Sequence, residues 1–171
     1  MKSSRKFAVA LAAMAIGGSF LAAQDFKLSP LEQKNLEIAT KEIRDMNQFH
    51  HFDLAPQYIA PDYIQHNPNV PPGLDGYVKY MTRFPRDPEP LTPGWKVTPV
   101  VILTSGDLVL YLFDRTAQDP ADPSRNYSFN SVDLLRVENG LVREHWDGAK
   151  KGQLPSNQLP RAPEPVNPPR Q

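Results

Sequence analysis

Residues 132–147 read VDLLRVENGLVREHWD. Asn139 and Gly140 lie near the middle of this stretch, between two runs in which apolar and polar residues alternate. An Asn-Gly pair between alternating runs is the strongest short-range signal for a β-hairpin with a two-residue turn. The sequence therefore predicts two antiparallel strands, over residues 127–138 and 141–147, joined at this turn.

The position of the turn also predicts which residues share a face of the hairpin. Counting outward without interruption gives three opposed pairs, which are Val137 with Val142, Leu135 with Glu144, and Asp133 with Trp146. Opposed residues project from the same face of a sheet. One face is thus predicted to be mostly apolar and to continue through Ser131, Phe129 and Tyr127. The other face is predicted to carry Leu134, Arg136, Arg143 and His145.

Asp133 is the unusual residue on the predicted apolar face. A carboxylate that loses water is driven towards its protonated form, which makes Asp133 a candidate for proton transfer. The same position suits a structural carboxylate that is hydrogen-bonded to Trp146 or to a backbone amide, and the residues alone leave both interpretations open. Glu144 lies nearer the turn, where we expect a solvated position at the rim.

Two further strands are predicted upstream of the hairpin. Residues 95–103 are rich in β-branched side chains, and residues 108–116 are apolar almost throughout. Residues 104–107 between them have the composition of a turn. The four strands follow one another along the chain, which is typical of an antiparallel meander.

The N-terminal half of the chain has helical signals instead. Ser29, Pro30 and Glu32 combine an N-cap, a proline at the first helical position and a capping box. Apolar residues then recur at steps of three and four, which predicts one long helix with this face: Leu36, Ala39, Ile43, Met46 and Phe49. Shorter helices are predicted over residues 53–59 and 75–84, with an extended piece at residues 62–66. The order predicts an α+β domain over residues 28–152, with three N-terminal helices packed on a curved, mainly antiparallel sheet.

Both ends of the chain differ from this domain. Residues 1–6 are basic and residues 7–23 carry no charge, which is typical of a secretory signal peptide, cleaved here after Ala23. We expect a periplasmic or secreted protein with no stable membrane insertion after cleavage. Residues 154–171 contain six prolines and predict a disordered, extended tail.

The composition excludes several classes of protein. Lys and Arg total 19 and Asp and Glu total 19, so the chain lacks the basic excess that nucleic-acid binding through phosphates requires. Cysteine is absent, which excludes disulfides, thiolate catalysis and zinc–thiolate sites. Hydrophobic residues make up 40% of the chain, which is enough for a packed core.

Two stretches resemble the signatures of SnoaL-like polyketide cyclases, which belong to the nuclear-transport-factor-two-like superfamily. They are YIQHNP over residues 63–68 and the hairpin at residues 132–147. The resemblance covers most of residues 30–150. It implies a cone-shaped α+β barrel, open at one end, with a cavity between helices and sheet and with no metal or organic cofactor.

The resemblance also implies functional residues. In the cyclases an aspartate on the strand that matches residues 132–137 is the acid–base group of an intramolecular aldol condensation, which assigns this role to Asp133. His66 is expected to reach the same cavity and to hydrogen-bond the enolate oxygen. Relatives often carry a cavity histidine near Leu112, and this chain has none there. Four aromatic residues are expected to contact the substrate: Tyr63, Tyr111, Phe129 and Trp146.

Two functions fit these observations. The first is a cofactor-independent acid–base enzyme, such as an aldol-type cyclase, isomerase or lyase, that acts on a small apolar carbonyl compound. The alternative is a non-catalytic extracytoplasmic protein that binds a small apolar ligand, with Asp133 holding the cavity wall together. The resemblance further implies a homodimer that packs through the outer sheet face, where Leu134, Arg136, Arg143 and His145 are predicted to lie.

Overall fold

The computed structural model describes residues 27–83, 85–153 and 160. In chain order its elements are α1 (Pro30–Lys41), a π-helical segment (Glu42–Gln48), a 3₁₀ turn (Phe52–Leu54), α2 (Ala55–Tyr58), β1 (Ile59–Gln65), α3 (Leu74–Met81), β2 (Val101–Ser105), β3 (Leu108–Gln118), β4 (Asn126–Glu138) and β5 (Leu141–Asp147). The predicted signal peptide, Phe84 and all of the predicted tail except Pro160 lie outside the described residues.

The strands form one sheet in the order β1-β5-β4-β3-β2. β2 to β5 make the predicted antiparallel meander, and β1 joins β5 as a parallel strand. The sheet is curved and does not close, and the helices pack on one of its faces. The predicted fold class, helices packed on a curved and mainly antiparallel sheet, is confirmed.

α1 begins as the sequence predicts. Ser29 Oγ accepts the Glu32 backbone N–H at 3.2 Å, and the Glu32 carboxylate accepts the Ser29 backbone N–H at 2.8 Å. α1 then continues directly into the π-helical segment, whose wider turns are common near functional sites. Ala39, Ile43 and Met46 are buried on the face of this long helix that packs against the sheet.

Several predicted element boundaries are wrong. The extended piece predicted at residues 62–66 is β1, which already begins at Ile59, and the helix predicted over residues 75–84 ends at Met81. Residues 95–100 do not form a strand, because β2 begins only at Val101. Pro99 lacks the N–H that a sheet ladder needs, and Trp95 packs in the core with its ring centroid 5.8 Å from that of Tyr111. The second helix is shorter than predicted, because Ile59 already belongs to β1.

A β-bulge at Arg143 changes the register of the final hairpin. Val137 pairs with Val142 as predicted, but Arg136 pairs with Glu144, so Arg143 is an extra residue on β5. Its guanidinium makes two hydrogen bonds to the Asp62 carboxylate, at 2.7 and 2.9 Å.

The bulge exchanges the two faces of β5 beyond it, because side chains alternate along a strand. Asp133 opposes Asp147 and Leu134 opposes Trp146, so the predicted pairing of Asp133 with Trp146 is wrong. The predicted pairing of Leu135 with Glu144 is wrong for the same reason, because Leu135 opposes His145. His145 lies on the inner face, where it is 7% exposed, and not on the outer face as predicted. Trp146 and Glu144 lie on the outer face.

The inner face of the sheet divides into a closed and an open end. At the closed end it is fully buried against the helices, through Val109, Tyr111, Phe113, Leu135 and Val137. Towards the start of β4 the same face continues through side chains that are partly exposed, which are Asp133, Ser131 and Phe129. The functional cavity lies over this open end.

None of the helices in the described part of the chain is long and apolar enough to cross a membrane.

Candidate functional site

A cavity of about 870 Å³ lies between the helical layer and the open end of the sheet. Apolar side chains from both layers line it, including Ile43, Val70, Met81 and Phe129. Asp133 and His145 are among its polar lining residues. More than half of the lining residues are polar or charged. A cavity that combines apolar walls with converging polar groups is a usual form of small-molecule site.

Asp133 and His145 form a hydrogen-bonded pair in the cavity wall. Neighbouring strands β4 and β5 position them, and Asp133 Oδ1 lies 3.1 Å from His145 Nε2. The Asp133 side chain is 20% exposed, whereas that of His145 is 9% exposed. Asp133 is therefore the member of the pair that a ligand reaches more easily.

His145 is held from its other side by Gln65, the last residue of β1. Gln65 Nε2 lies 2.9 Å from His145 Nδ1 and 3.0 Å from the Tyr63 hydroxyl. Burial by itself lowers the pKa of the His145 imidazole. The hydrogen bond and charge of Asp133, together with the charges of Glu42 and Asp147, more than compensate, so the pKa of His145 lies above its ordinary value. Both ring nitrogens thus have a defined partner.

Asp147 faces Asp133 directly across the two strands. Asp147 Oδ2 accepts the Asn67 side-chain amide at 2.8 Å, and Oδ1 accepts the Ala149 backbone N–H at 2.9 Å. The cavity wall therefore carries two acidic side chains next to one imidazole.

Glu42 is a buried carboxyl group behind this wall, 1% exposed, in the π-helical segment. Asn47 Nδ2 lies 3.1 Å from Glu42 Oε1, and the Tyr77 hydroxyl lies 2.9 Å from the same oxygen. Among the described residues no hydrogen-bond partner reaches Glu42 Oε2. Burial raises the pKa of Glu42, and the nearby His145 only partly opposes this. Glu42 is thus a buried acid within electrostatic reach of the Asp133–His145 pair.

The rim of the cavity carries charged side chains. His50 has a left-handed backbone with φ 66°, and its Nε2 lies 3.5 Å from Arg86 Nη1. Burial and the positive charges of Arg86 and Lys96 lower the pKa of His50. Lys96 forms an ion pair with Glu89. The rim is therefore polar and charged.

His66 does not reach the cavity, contrary to what the resemblance implied. Its ring stacks on Trp146 on the outer face, with centroids 4.6 Å apart, and its Nε2 lies 2.9 Å from Glu144 Oε2. The reason is alternation along the chain, because Tyr63 and Gln65 point inward and the next residue points outward. Trp146, expected to contact the substrate, is also absent from the cavity lining because of the bulge.

The other expected substrate contacts divide into two groups. Phe129 lines the cavity. Tyr63 and Tyr111 point inward but are buried outside the lining, at 1% and 0% exposure. The Tyr111 hydroxyl lies 2.9 Å from Thr40 Oγ1, so it joins β3 to α1.

Sequence patterns do not identify His145, Gln65 or Glu42 as site residues. For Gln65 the available signal is its place in the YIQHNP stretch, directly before His66. His145 becomes an inner residue only through the bulge, and Glu42 lies among helical residues with no motif. In the described part of the chain, no three His, Asp or Glu side chains converge in a way that could hold a metal ion.

Several solved structures have a fold similar to that of this chain. A protein assigned as a SnoaL-like polyketide cyclase from Jannaschia sp. CCS1 is 21% identical, covers 71% of this chain and 90% of its own, and has a TM-score of 0.51. An LEH-like epoxide hydrolase from M. tuberculosis is 14% identical over 70% of this chain and 81% of its own, with a TM-score of 0.50. At these identities the similarity shows the fold alone. No curated protein matches the chain.

The SnoaL-like domain family matches residues 44–145. This range extends from the π-helical segment to His145, and it includes Gln65 and Asp133. The match covers more than half of the chain, and the chain therefore belongs to the SnoaL-like family.

Proposed function

We propose that the protein is a cofactor-independent acid–base enzyme, in which Asp133 removes a proton from a C–H group next to a carbonyl. The observation that carries this proposal is the pairing of Asp133 with buried His145 in the wall of a cavity that also has apolar and aromatic lining side chains. The substrate class that fits is a small apolar carbonyl compound. A fold shared by enzymes and binding proteins does not decide the activity, which depends on the side chains of the site.

The geometry suits a general base because His145 holds only one oxygen of Asp133. Oδ1 faces His145, and among the described residues Oδ2 has no hydrogen-bond partner. A base oriented by a second residue keeps its reactive atom in place for proton transfer. Oδ2 is the oxygen that we assign to the substrate proton.

The reaction needs no external reagent. Asp133 takes the proton, the C–H electron pair forms an enolate, and this enolate either attacks a second carbonyl of the same molecule or is reprotonated at carbon. Asp133 returns the proton at the end of the reaction. Arg115 also lines the cavity, with its Nε donating to Ser131 Oγ at 3.0 Å, and we assign to its positive charge the stabilisation of the enolate oxygen.

Proton exchange tests this proposal without knowledge of the natural substrate. Cyclohexanone and acetophenone are incubated with the protein in D₂O, and loss of the α-proton signal is followed by NMR. We expect protein-dependent exchange that falls by about 10²- to 10⁴-fold in Asp133→Asn. Asp75→Asn, an exposed change in the first turn of α3, serves as the matched control.

The proton-exchange experiment distinguishes the catalytic function from the non-catalytic ligand-binding function. If these or related ketones bind in the cavity, as followed by chemical shift changes of Phe129, and no exchange occurs in the parent protein, the enzyme proposal is wrong. The non-catalytic ligand-binding function then replaces it. Equal exchange in the parent protein and in Asp133→Asn contradicts the role of Asp133.

Export is a separate proposal, supported by the basic start and the uncharged run over residues 7–23. Expression of the full chain in a bacterial host with a secretory pathway tests it. We expect recovery outside the cytoplasm of a mature chain whose mass corresponds to a start at Gln24. Retention of the full-length chain in the cytoplasm contradicts the proposal.

A further inference from the structure

We propose that Gln65 is a positioning residue that places the proton of neutral His145 on Nε2 and thereby keeps Asp133 in its proton-accepting form. The catalytic meaning of this inference rests on the proposed function. The location of the proton does not, because it follows from hydrogen bonds that exist without a substrate.

The Gln65 side-chain amide can take only one orientation. Its Oε1 accepts the backbone N–H of Asn67 at 3.0 Å. A backbone N–H can only donate, so the carbonyl end of the amide must face it. The NH₂ end therefore faces Tyr63 and His145, as the 3.0 and 2.9 Å distances indicate.

The orientation of the Gln65 amide determines which nitrogen of the His145 imidazole carries the proton. An amide NH₂ group has only donors, so the His145 Nδ1 that faces it must be the acceptor and carries no proton. A neutral imidazole then has its proton on Nε2. Nε2 lies 3.1 Å from Asp133 Oδ1 and donates to it.

The opposite arrangement is unfavourable at two points. A proton on Nδ1 would face the NH₂ group of Gln65, and rotation of the amide to avoid this would place NH₂ against the Asn67 N–H. In addition, an unprotonated Nε2 would favour a protonated Asp133, which could no longer act as a base.

The acidic side chains around His145 influence the pH at which the imidazole takes up a second proton and its hydrogen bond with Gln65 breaks. Acidic side chains face it from three elements, which are Asp133 on β4, Asp147 on β5 and Glu42 on the π-helical segment. Tyr63 on β1 lies on the far side of Gln65. A second proton on His145 must bind at Nδ1, where it displaces the Gln65 NH₂ group. Acidification therefore breaks the Gln65–His145 hydrogen bond.

Nitrogen NMR of the ¹⁵N-labelled full chain tests the inference directly. The four histidines are distinguished by comparison with His145→Gln. At mildly alkaline pH we expect His145 to show a protonated Nε2 and an unprotonated Nδ1. Gln65→Glu has the same shape but presents an oxygen in place of NH₂, so we expect a proton to appear on Nδ1.

Two further variants keep the test decisive. Gln57→Glu, an exposed change on α2, should leave the His145 signals unchanged. If Gln65→Glu does not fold, Gln65→Met removes the amide without adding charge, and we expect a mixture of the two tautomers. A proton on Nδ1 in the parent protein, or His145 signals that do not respond to either Gln65 variant, overturns the inference.

Proton exchange at the α-carbon separates this inference from the proposed function. We expect Gln65→Glu to lower the exchange rate at least about tenfold and to change its pH profile, as a change in the protonation of a catalytic group does. Correct proton placement without exchange in the parent protein contradicts the enzyme and leaves the placement standing. Exchange together with the opposite tautomer contradicts the placement alone.

Discussion

Asp133 and Asp147 lie directly opposite each other on β4 and β5. Like charges at opposed positions of a sheet destabilise the pair, and both side chains line the same cavity. Asp147 accepts hydrogen bonds from Asn67 and Ala149. Removing the charge of Asp133 therefore relieves the repulsion without the loss of these two hydrogen bonds.

We therefore expect Asp133→Asn to be as stable as the parent protein or more stable. The asparagine oxygen can still accept the His145 Nε2 proton, and the opposed negative charge is gone. Chemical denaturation near neutral pH measures the free energy of unfolding. A loss of about 1–3 kcal/mol, as expected for a broken charged hydrogen bond, would instead identify Asp133 as a structural carboxylate.

The raised pKa of the Glu42 carboxyl group should make the stability of the protein depend on pH. Burial raises its pKa above the ordinary value of 4.5, so the folded protein keeps the Glu42 proton to a higher pH than the unfolded chain does. The stability of the parent protein should therefore fall as pH rises from this value through the raised pKa.

We expect Glu42→Gln to remove this part of the pH dependence. Its free energy of unfolding relative to the parent should increase with pH, as followed by urea denaturation from mildly acidic to alkaline pH. Glu37→Gln is a suitable control, because Glu37 is exposed and its hydrogen bond to Lys41 lowers its pKa. A constant difference between Glu42→Gln and the parent would show that Glu42 is ionised in the folded protein.

The outer sheet face carries an apolar row across four strands. Leu103 pairs with Leu110, Leu110 with Leu134, and Leu134 with Trp146. Leu103 is 60% exposed in the single chain. The predicted homodimer would bury this row, with Trp146 in the position that the sequence assigned to His145.

We expect the parent protein to sediment as a dimer at micromolar concentration and Leu103→Glu to sediment as a monomer. The substituted side chain is exposed, so the fold should be retained. Leu91→Glu, at an exposed position outside the sheet, is the matched control and should remain dimeric. A monomeric parent protein, or a dimeric Leu103→Glu, contradicts this interface.

The C-terminal tail should contribute little to stability. In the described residues its one hydrogen bond joins the Gln118 backbone N–H to the Pro160 carbonyl, at 2.8 Å. Truncation after Gln153 should therefore lower the melting temperature by no more than a few degrees. A larger decrease, measured by calorimetry on both chains, would show that the tail packs on the domain.

Local signals predicted most of the fold. Asn139-Gly140 places the hairpin turn, and Ser29 with Glu32 places the start of α1, because each depends on residues close in sequence. The faces of β5 could not be predicted, because the bulge at Arg143 is held by Asp62, which is 81 residues away. The direction of His66 likewise depends on the pairing of β1 with β5. Asp133 was therefore found from its own strand, whereas its partners Gln65 and His145 were not.

The bulge at Arg143 has a consequence for how such a cavity can change during evolution. His145 and Trp146 are neighbours in sequence, and the one extra residue before them selects which of the two the ligand meets. Deletion of a single codon would exchange an imidazole for an indole in the cavity wall while every other amino acid remained the same. A lineage could thus lose or regain the Asp133–His145 pair in one step that comparisons of residue identity alone would not detect.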